Sequence, residues 1–213
     1  MNVESKNPVV HAGLLGGIAF VAAVFLIIGN LVTTEPIAQR KYEDLVNSLA
    51  IVIPADLYDN DLTTDIIMID DVKGRSLKIH RARKKGIVTA VAFEQSVNGY
   101  AKIHLVMGID AGGRVLGVRV LEHEETPGLG DQIEITKSDW IKSFDGLALS
   151  NTPRADWGVK KDGGIFDQFS GATITPRAVV KVVREGLELF KLKKSALLSG
   201  EAAPINETGG AGS

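Results

Sequence analysis

A threonine hydroxyl set behind small side chains is the part of this 213-residue chain best suited to chemistry. In Asp167-Gln168-Phe169-Ser170-Gly171-Ala172-Thr173, the Thr173 hydroxyl follows three of the smallest residues. A large rigid group can therefore approach its oxygen and be joined to it, and glycine in particular lets another backbone or ligand come close. Ser170 adds a second hydrogen-bonding oxygen. Ile174-Thr175-Pro176-Arg177 follows and opens an apolar-periodic run. Thr175 before Pro176 reads as a helix N-cap with proline at the first helical position. The hydroxyls thus stand near a helix start, where unpaired backbone N–H groups and the helix dipole favour a phosphate. The plain alternative is an ordinary helix-entry loop, in which Ser, Thr and Gly are common.

The order Asp-x-x-(Ser/Thr)-Gly-Ala-Thr resembles the flavinylation motif of FMN-binding domains, and all five specified positions match. Upstream, His123-Glu124-Glu125-Thr126-Pro127-Gly128-Leu129-Gly130 resembles the Glu-Thr-Pro-Gly-Leu-Gly loop of the same domains. Two motifs in the right order are far more specific than either alone. With the apolar segment described below, the chain is similar to the family of G subunits of Rnf electron-transport complexes. The C subunit of the sodium-pumping NADH:quinone oxidoreductase is the near relative. The resemblance implies that a flavin transferase joins the FMN phosphate to Thr173 as a phosphoester. It also implies that Asp167, Ser170, Gly171, Ala172, Thr175, Glu125 and Thr126 surround the cofactor. Glu125 and Thr126 are expected near the ring or ribityl chain, and Ser170, Gly171 and Thr175 at the phosphate. Pro127-Gly128 favours a tight turn that fixes the loop's path.

Composition narrows the function classes. Lys and Arg number 24 against 26 Asp and Glu, so nothing suggests a nucleic-acid partner. There is no cysteine, which excludes disulfides, thiolate iron–sulfur ligation and cysteine nucleophiles. The four histidines, His11, His80, His104 and His123, have no metal-ligand spacing, and no metal site is expected. No Gly-x-Gly-x-x-Gly fingerprint occurs, so nicotinamide and iron–sulfur chemistry belong to other subunits. No catalytic acid–base pair is expected either. The reading is an electron-carrier subunit without a substrate site of its own.

Ala12 to Val32 is uncharged. As a helix it is about 32 Å long, close to the hydrocarbon thickness of a bilayer. A cleaved signal peptide is the alternative, but the apolar run is long and no Ala-x-Ala site follows it. Thr33-Thr34-Glu35-Pro36 reads as the exit from the bilayer into a new helix turn. The charges flanking the span do not fix its orientation. The resemblance implies a cytoplasmic residue 1–11 segment, a single pass through the bacterial inner membrane at 12–33, and a periplasmic FMN domain. The implied partners are the lipid bilayer, the flavin and iron–sulfur subunits of the complex, and the transferase during maturation.

The remaining elements give an α+β domain. Residues 34–56 read as an amphipathic linker helix, with Ile37, Tyr42, Leu45, Val46 and Leu49 on one side. Residues 57–192 form the FMN-binding domain, and 193–213 a flexible tail. A strand is expected at Ile66–Ile69. Strands at 87–93, 101–109 and 115–121, joined by Asn98-Gly99 and Asp110–Gly113 turns, predict an antiparallel meander. Residues 131–143 predict a helix, Gly146–Ser150 a short strand, and Pro176–Leu192 an amphipathic helix.

Several residues admit two readings. Asp167 either orients the threonine hydroxyl, binds a metal carried by the transferase, or caps a turn. His123 fits a solvent-facing side chain better than a proton relay. Trp140 and Trp157 fit core packing better than flavin stacking. The basic stripe Lys73, Arg75, Lys78, Arg81, Arg83, Lys84 and Lys85 reads either as a docking surface or as a solvated face balanced by Asp61, Asp65, Asp70 and Asp71. Two further functional readings remain at this stage: a redox sensor module and a flavin-free scaffold.

Overall fold

A computed structural model describes residues 8–199, so the first residues and the expected tail beyond Ser199 lie outside the described residues. The chain forms two units that meet between Glu43 and Asp44. That boundary falls within the first helix, α1 (Pro8–Val52).

In the first unit, the most apolar stretch of α1 has a mean hydropathy of 2.5, and none of it is buried. Leu14, Ile18, Phe20, Phe25, Leu26 and Leu31 all project outward. A helix apolar on every side and unpacked by protein is suited to lipid. By length and composition α1 can cross a membrane. The helix does not restart at Thr33–Pro36 as the sequence predicts; Pro36 lies inside it. The Thr33 and Thr34 hydroxyls donate to Gly29 O (2.8 Å) and Asn30 O (2.6 Å), so both are satisfied within the helix.

The second unit is a three-layer α+β domain. A five-stranded antiparallel sheet runs in chain order: β1 (Ile66–Asp70), β2 (Ser76–Lys84), β3 (Ile87–Asn98), β4 (Lys102–Asp110) and β5 (Val115–His123). Strand side chains alternate between faces, and the two faces differ in size. Ile79, Phe93, Leu105, Met107 and Val118 meet Val179, Val182, Val183, Leu187 and Phe190 of α2 (Ile174–Leu198). The opposite face carries Ala82, Ala90, Ala92 and Val106, and these residues admit Leu49 and Val52 from the end of α1 and Ile53 just after it. Leu49 is buried, but Ile37, Tyr42 and Val46 of the expected amphipathic face are exposed. Only the last turns of α1 therefore join the core.

Four sequence expectations need correction. Strand β2 lies where the sequence shows mainly a run of cations. The 131–143 stretch is two 3-10 turns, Asp131–Ile133 and Asp139–Phe144, rather than a helix. The β-branched Ile135 and Thr136 lie between the turns, and the Ser138 side chain accepts the Trp140 N–H at 2.9 Å to start the second. Gly146–Ser150 forms no strand, only a single bridge from Ala148 to Arg114. The Ala148 N–H donates to Asn151 Oδ1 at 2.7 Å, so a local turn takes its ladder bond. The last helix also runs past Leu192 to Leu198.

Candidate functional site

Residues 131–172 carry little regular structure and are held by aromatic side chains. Trp140 meets Phe169 edge-on at 5.0 Å and Phe144 at 5.4 Å, and Phe144 stacks on Phe166 at 4.6 Å. Such pairs contribute about 0.5–1.5 kcal/mol each beyond their buried area. The Trp140 indole N–H also donates to Asp167 O at 2.8 Å. The tryptophan thus packs beneath the Asp167–Thr173 loop and grips its backbone. Trp157 is buried too, donating to Thr152 O at 3.3 Å. Both indoles serve the core.

The loop then turns at Ser170-Gly171. Gly171 has φ +79°, which a side chain opposes, and an added Cβ would lie 3.2 Å from Leu129 Cδ2. The motif glycine is therefore favoured by backbone angle, and the upstream loop comes close to it at Leu129. That loop leaves β5 and turns at Pro127-Gly128. The Leu129 N–H donates to Thr126 O at 3.1 Å, and Gly128 has φ +78°. Proline followed by a left-handed glycine fits a type II turn.

The two loops close on one cleft of about 260 Å³. Its lining includes Glu125, Thr126, Gly171, Ala172, Thr173 and Thr175, so six of the sequence-predicted residues come together. Tyr100, Leu129, Gly130 and Ile174 complete it. Tyr100 and Ile174 are 77% and 55% exposed, giving the rim an apolar, open character. The sequence reading gave these four no separate role. Tyr100 had one faint signal, its place just after the Asn98-Gly99 turn.

Two predicted residues stand outside this lining. Ser170 is exposed at the turn. Asp167 is exposed and pairs with Lys160 Nζ at 2.6 Å. Thr175 also differs from its predicted role. Helix α2 begins at Ile174 with Thr173 at the N-cap position, and Thr173 makes no side-chain cap bond. Thr175 is fully buried, and its hydroxyl donates to Glu125 Oε2 at 2.6 Å. The helix start thus keeps first-turn N–H groups without intrahelical acceptors. Arg177 in that turn is committed to Asp162, with two bonds of 2.6 Å, and these bonds hold the Asp162 carboxyl below its usual range.

His123 is not solvent-facing as predicted. Its Nδ1 accepts the Glu125 N–H at 3.1 Å, so the ring proton sits on Nε2, which meets Glu134 Oε1 at 2.8 Å. The basic stripe is paired within the domain, although Lys73, Arg75, Lys84 and Lys85 stay exposed. Arg81 is 1% exposed and binds Asp65 at 2.6 Å, and Arg83 binds the other oxygen of Asp65. Arg75 pairs with Asp71 at 2.7 Å and Lys73 with Glu185 at 2.8 Å. The stripe balances on Asp65 and Asp71, as the second reading expects, but Asp61 instead bonds Thr63.

A half-buried hydroxyl, an uncapped helix start and a glycine held at positive φ fit a phosphorylated group, and the apolar rim fits an aromatic ring beside it. Comparison with known proteins agrees. Residues 99–188 match the FMN-binding domain family. A protein of Cereibacter sphaeroides is 48% identical over 91% of this chain and 89% of its own length. One of Stutzerimonas stutzeri is 47% identical over 89% and 84%, and one of Pseudomonas aeruginosa 41% over 92% and 95%. Each is named as the G subunit of an ion-translocating oxidoreductase complex. With an FMN-binding domain, a helix suited to the membrane and this likeness along nearly its whole length, the chain belongs to the family of G subunits of ion-translocating oxidoreductase complexes.

Proposed function

We propose that Thr173 carries FMN through a phosphoester, and that the chain is an electron-carrying subunit of an ion-translocating ferredoxin:NAD oxidoreductase complex of the Rnf type. The observation that carries this reading is the convergence of two distant segments on one cleft, with the Thr173 hydroxyl at the uncapped start of α2. FMN, when bound, supplies redox chemistry in one- or two-electron steps. The first-turn N–H groups of α2 and its dipole favour the phosphate. Gly171 gives it room, and Leu129, Ile174 and Tyr100 offer an apolar wall to the ring. Glu125 and Thr126 border the same space, while Ser170 and Asp167 are left at the surface for the transferase to meet.

The exposed rim of the cleft, at Tyr100 and Ile174, suits a carrier whose cofactor faces a partner centre. Pockets that enclose a drug-sized ligand run to about 300–1,000 Å³. At about 260 Å³ this cleft lies just below that range. A covalent link also removes dissociation, which suits a compartment without free cofactor. In this reading residues 12–33 cross the inner membrane once and residues 57–192 form the FMN domain on the periplasmic side. The neighbours are the flavin and iron–sulfur subunits. The C subunit of the quinone oxidoreductase is disfavoured, because the relatives share the name of the G subunit.

Intact mass spectrometry of protein from a host with the flavin transferase tests the reading. The expected result is one added FMN less one water, on the peptide holding Thr173. A bare peptide overturns it.

A further inference from the structure

We propose that Glu125 is a positioning residue: its carboxylate fixes the first turn of α2, and with it Thr173, for attachment of the flavin. The inference rests on the reading of Thr173 as the attachment site.

Glu125 is only 5% exposed, yet both carboxylate oxygens have donors. Oε1 accepts the Ala101 N–H at 3.0 Å, and Oε2 accepts the Thr175 hydroxyl at 2.6 Å. Its own N–H is held by His123, and His123 by Glu134. One side chain therefore ties the β3–β4 turn, the loop after β5 and the start of α2. Bonds to a charged acceptor are shorter and stronger than neutral ones, and a carboxylate buried without them is costly.

The surroundings are shaped to this one group. A Cβ on Gly99 would stand 2.5 Å from Glu125 Oε1. A Cβ on Gly130 would stand 2.7 Å from Oε2 and 3.1 Å from Thr175 Oγ1. Neither glycine has positive φ, so the chain path does not demand glycine at either position. Their missing side chains make room for the carboxylate. With both oxygens engaged by Ala101 and Thr175, Glu125 acts on Thr173 through Thr175 and the backbone of α2.

In the attachment step, Thr173 Oγ1 forms an O–P bond to the flavin-side phosphorus of a flavin dinucleotide. The pyrophosphate P–O bond breaks, the other mononucleotide leaves, and the threonine proton passes to solvent. Nothing is oxidised or reduced. Glu125 shares in none of these bonds and sets only where Thr173 stands.

The test uses the full chain, purified transferase and flavin dinucleotide, at a temperature where circular dichroism finds each variant folded. The rate of covalent flavin fluorescence is measured. Glu125→Ala and Thr175→Val are expected to slow it about tenfold to a hundredfold, the effect of a misplaced reacting group. Glu125→Gln and Thr175→Ser are expected to stay within about threefold of wild type, a small change in barrier. The glutamine keeps an acceptor for Ala101 and donates to Thr175 Oγ1, since a hydroxyl can also accept. Wild type that takes no flavin sinks the reading of Thr173 itself. Labelled wild type alongside folded Glu125→Ala labelled at the same rate overturns the positioning role. Glu125→Gln as slow as Glu125→Ala overturns it as well, because the negative charge, and not the acceptor that holds Ala101 and Thr175, would then set the rate.

Discussion

Residues 73–85 and residues 167–175 are the two segments that stand out in the linear sequence, and folding treats them in opposite ways. The first is dense in charge, and its side chains turn to partners inside the domain: Arg81 and Arg83 to Asp65, Arg75 to Asp71, Lys73 to Glu185. The second is poor in charge and keeps the Thr173 hydroxyl at the edge of a cleft. Charge density along a chain says little about interaction until its counter-ions are known. A spacing of small and hydroxyl residues is harder to explain by packing alone. The comparison separates residues that hold the domain from residues that give it chemistry, and the following experiments test how clean that separation is.

The largest expected effect is on chemistry without stability. Thr173→Ala removes all covalent flavin, read as loss of in-gel fluorescence after denaturation. Because Thr173 makes no side-chain cap bond, stability should change by less than about 0.5 kcal/mol. Unfolding by urea, followed by circular dichroism, checks the second half. A Thr173→Ala protein that retained denaturation-resistant flavin would move the attachment elsewhere.

The converse experiment is Asp65→Ala. It strips the counter-ion from Arg81, which is 1% exposed, and from Arg83. Removing one partner of a buried ion pair costs roughly 3–5 kcal/mol. Urea unfolding should register that loss, while material that remains folded should still accept flavin at Thr173. If unfolding changed little and flavin uptake fell, the stripe would be a functional surface after all.

Trp140→Phe probes where the separation fails. Trp140 belongs to the core, yet its indole holds the Asp167 carbonyl at 2.8 Å. Leaving that acceptor without its donor costs roughly 1–3 kcal/mol. The same change loosens the loop carrying Thr173, so slower flavin incorporation is expected together with the lower stability. A loss of stability with an unchanged incorporation rate would show that the loop keeps its shape without the indole.

How much of this was legible before folding follows from the same contrast. Helix α2 and strands β3 to β5 were readable because each buries a regular apolar face. The site was readable in outline, since its two loops carry residues chosen for turn geometry and a hydroxyl. Strand β2 was obscured because Arg81 and Arg83 occupy positions where apolar residues mark a strand, and their burial depends on Asp65 sixteen and eighteen residues away. The role of Thr175 was obscured for a related reason. A threonine before proline looks like a cap, and only the fold brings Glu125 to its hydroxyl. The same holds for Tyr100, which reaches the cleft from a turn with no motif of its own.

The smallest effect expected is pH-dependent and belongs to the structural segment. Glu94 on β3 meets His80 at 2.6 Å and Lys78 at 3.5 Å, both from the basic stretch, and His104 at 3.6 Å from β4. Burial pushes its carboxyl up, but the His80 hydrogen bond and the Lys78, His80 and His104 charges outweigh burial and leave it below its ordinary value of 4.5. A carboxyl depressed in the folded state adds stability that is fully present above its unfolded value and is lost as pH falls through the folded one. Glu94 therefore contributes to stability at neutral pH, and its contribution fades below about pH 4.5. Glu94→Gln should flatten the acid limb of the stability–pH curve in that range, while leaving flavin incorporation at neutral pH unchanged. Acid limbs of equal slope in the two proteins would remove this carboxylate from the groups that respond to acid. Lower flavin incorporation at neutral pH would instead link the charged row across the sheet to the Thr173 cleft, and the division between the two segments would no longer hold.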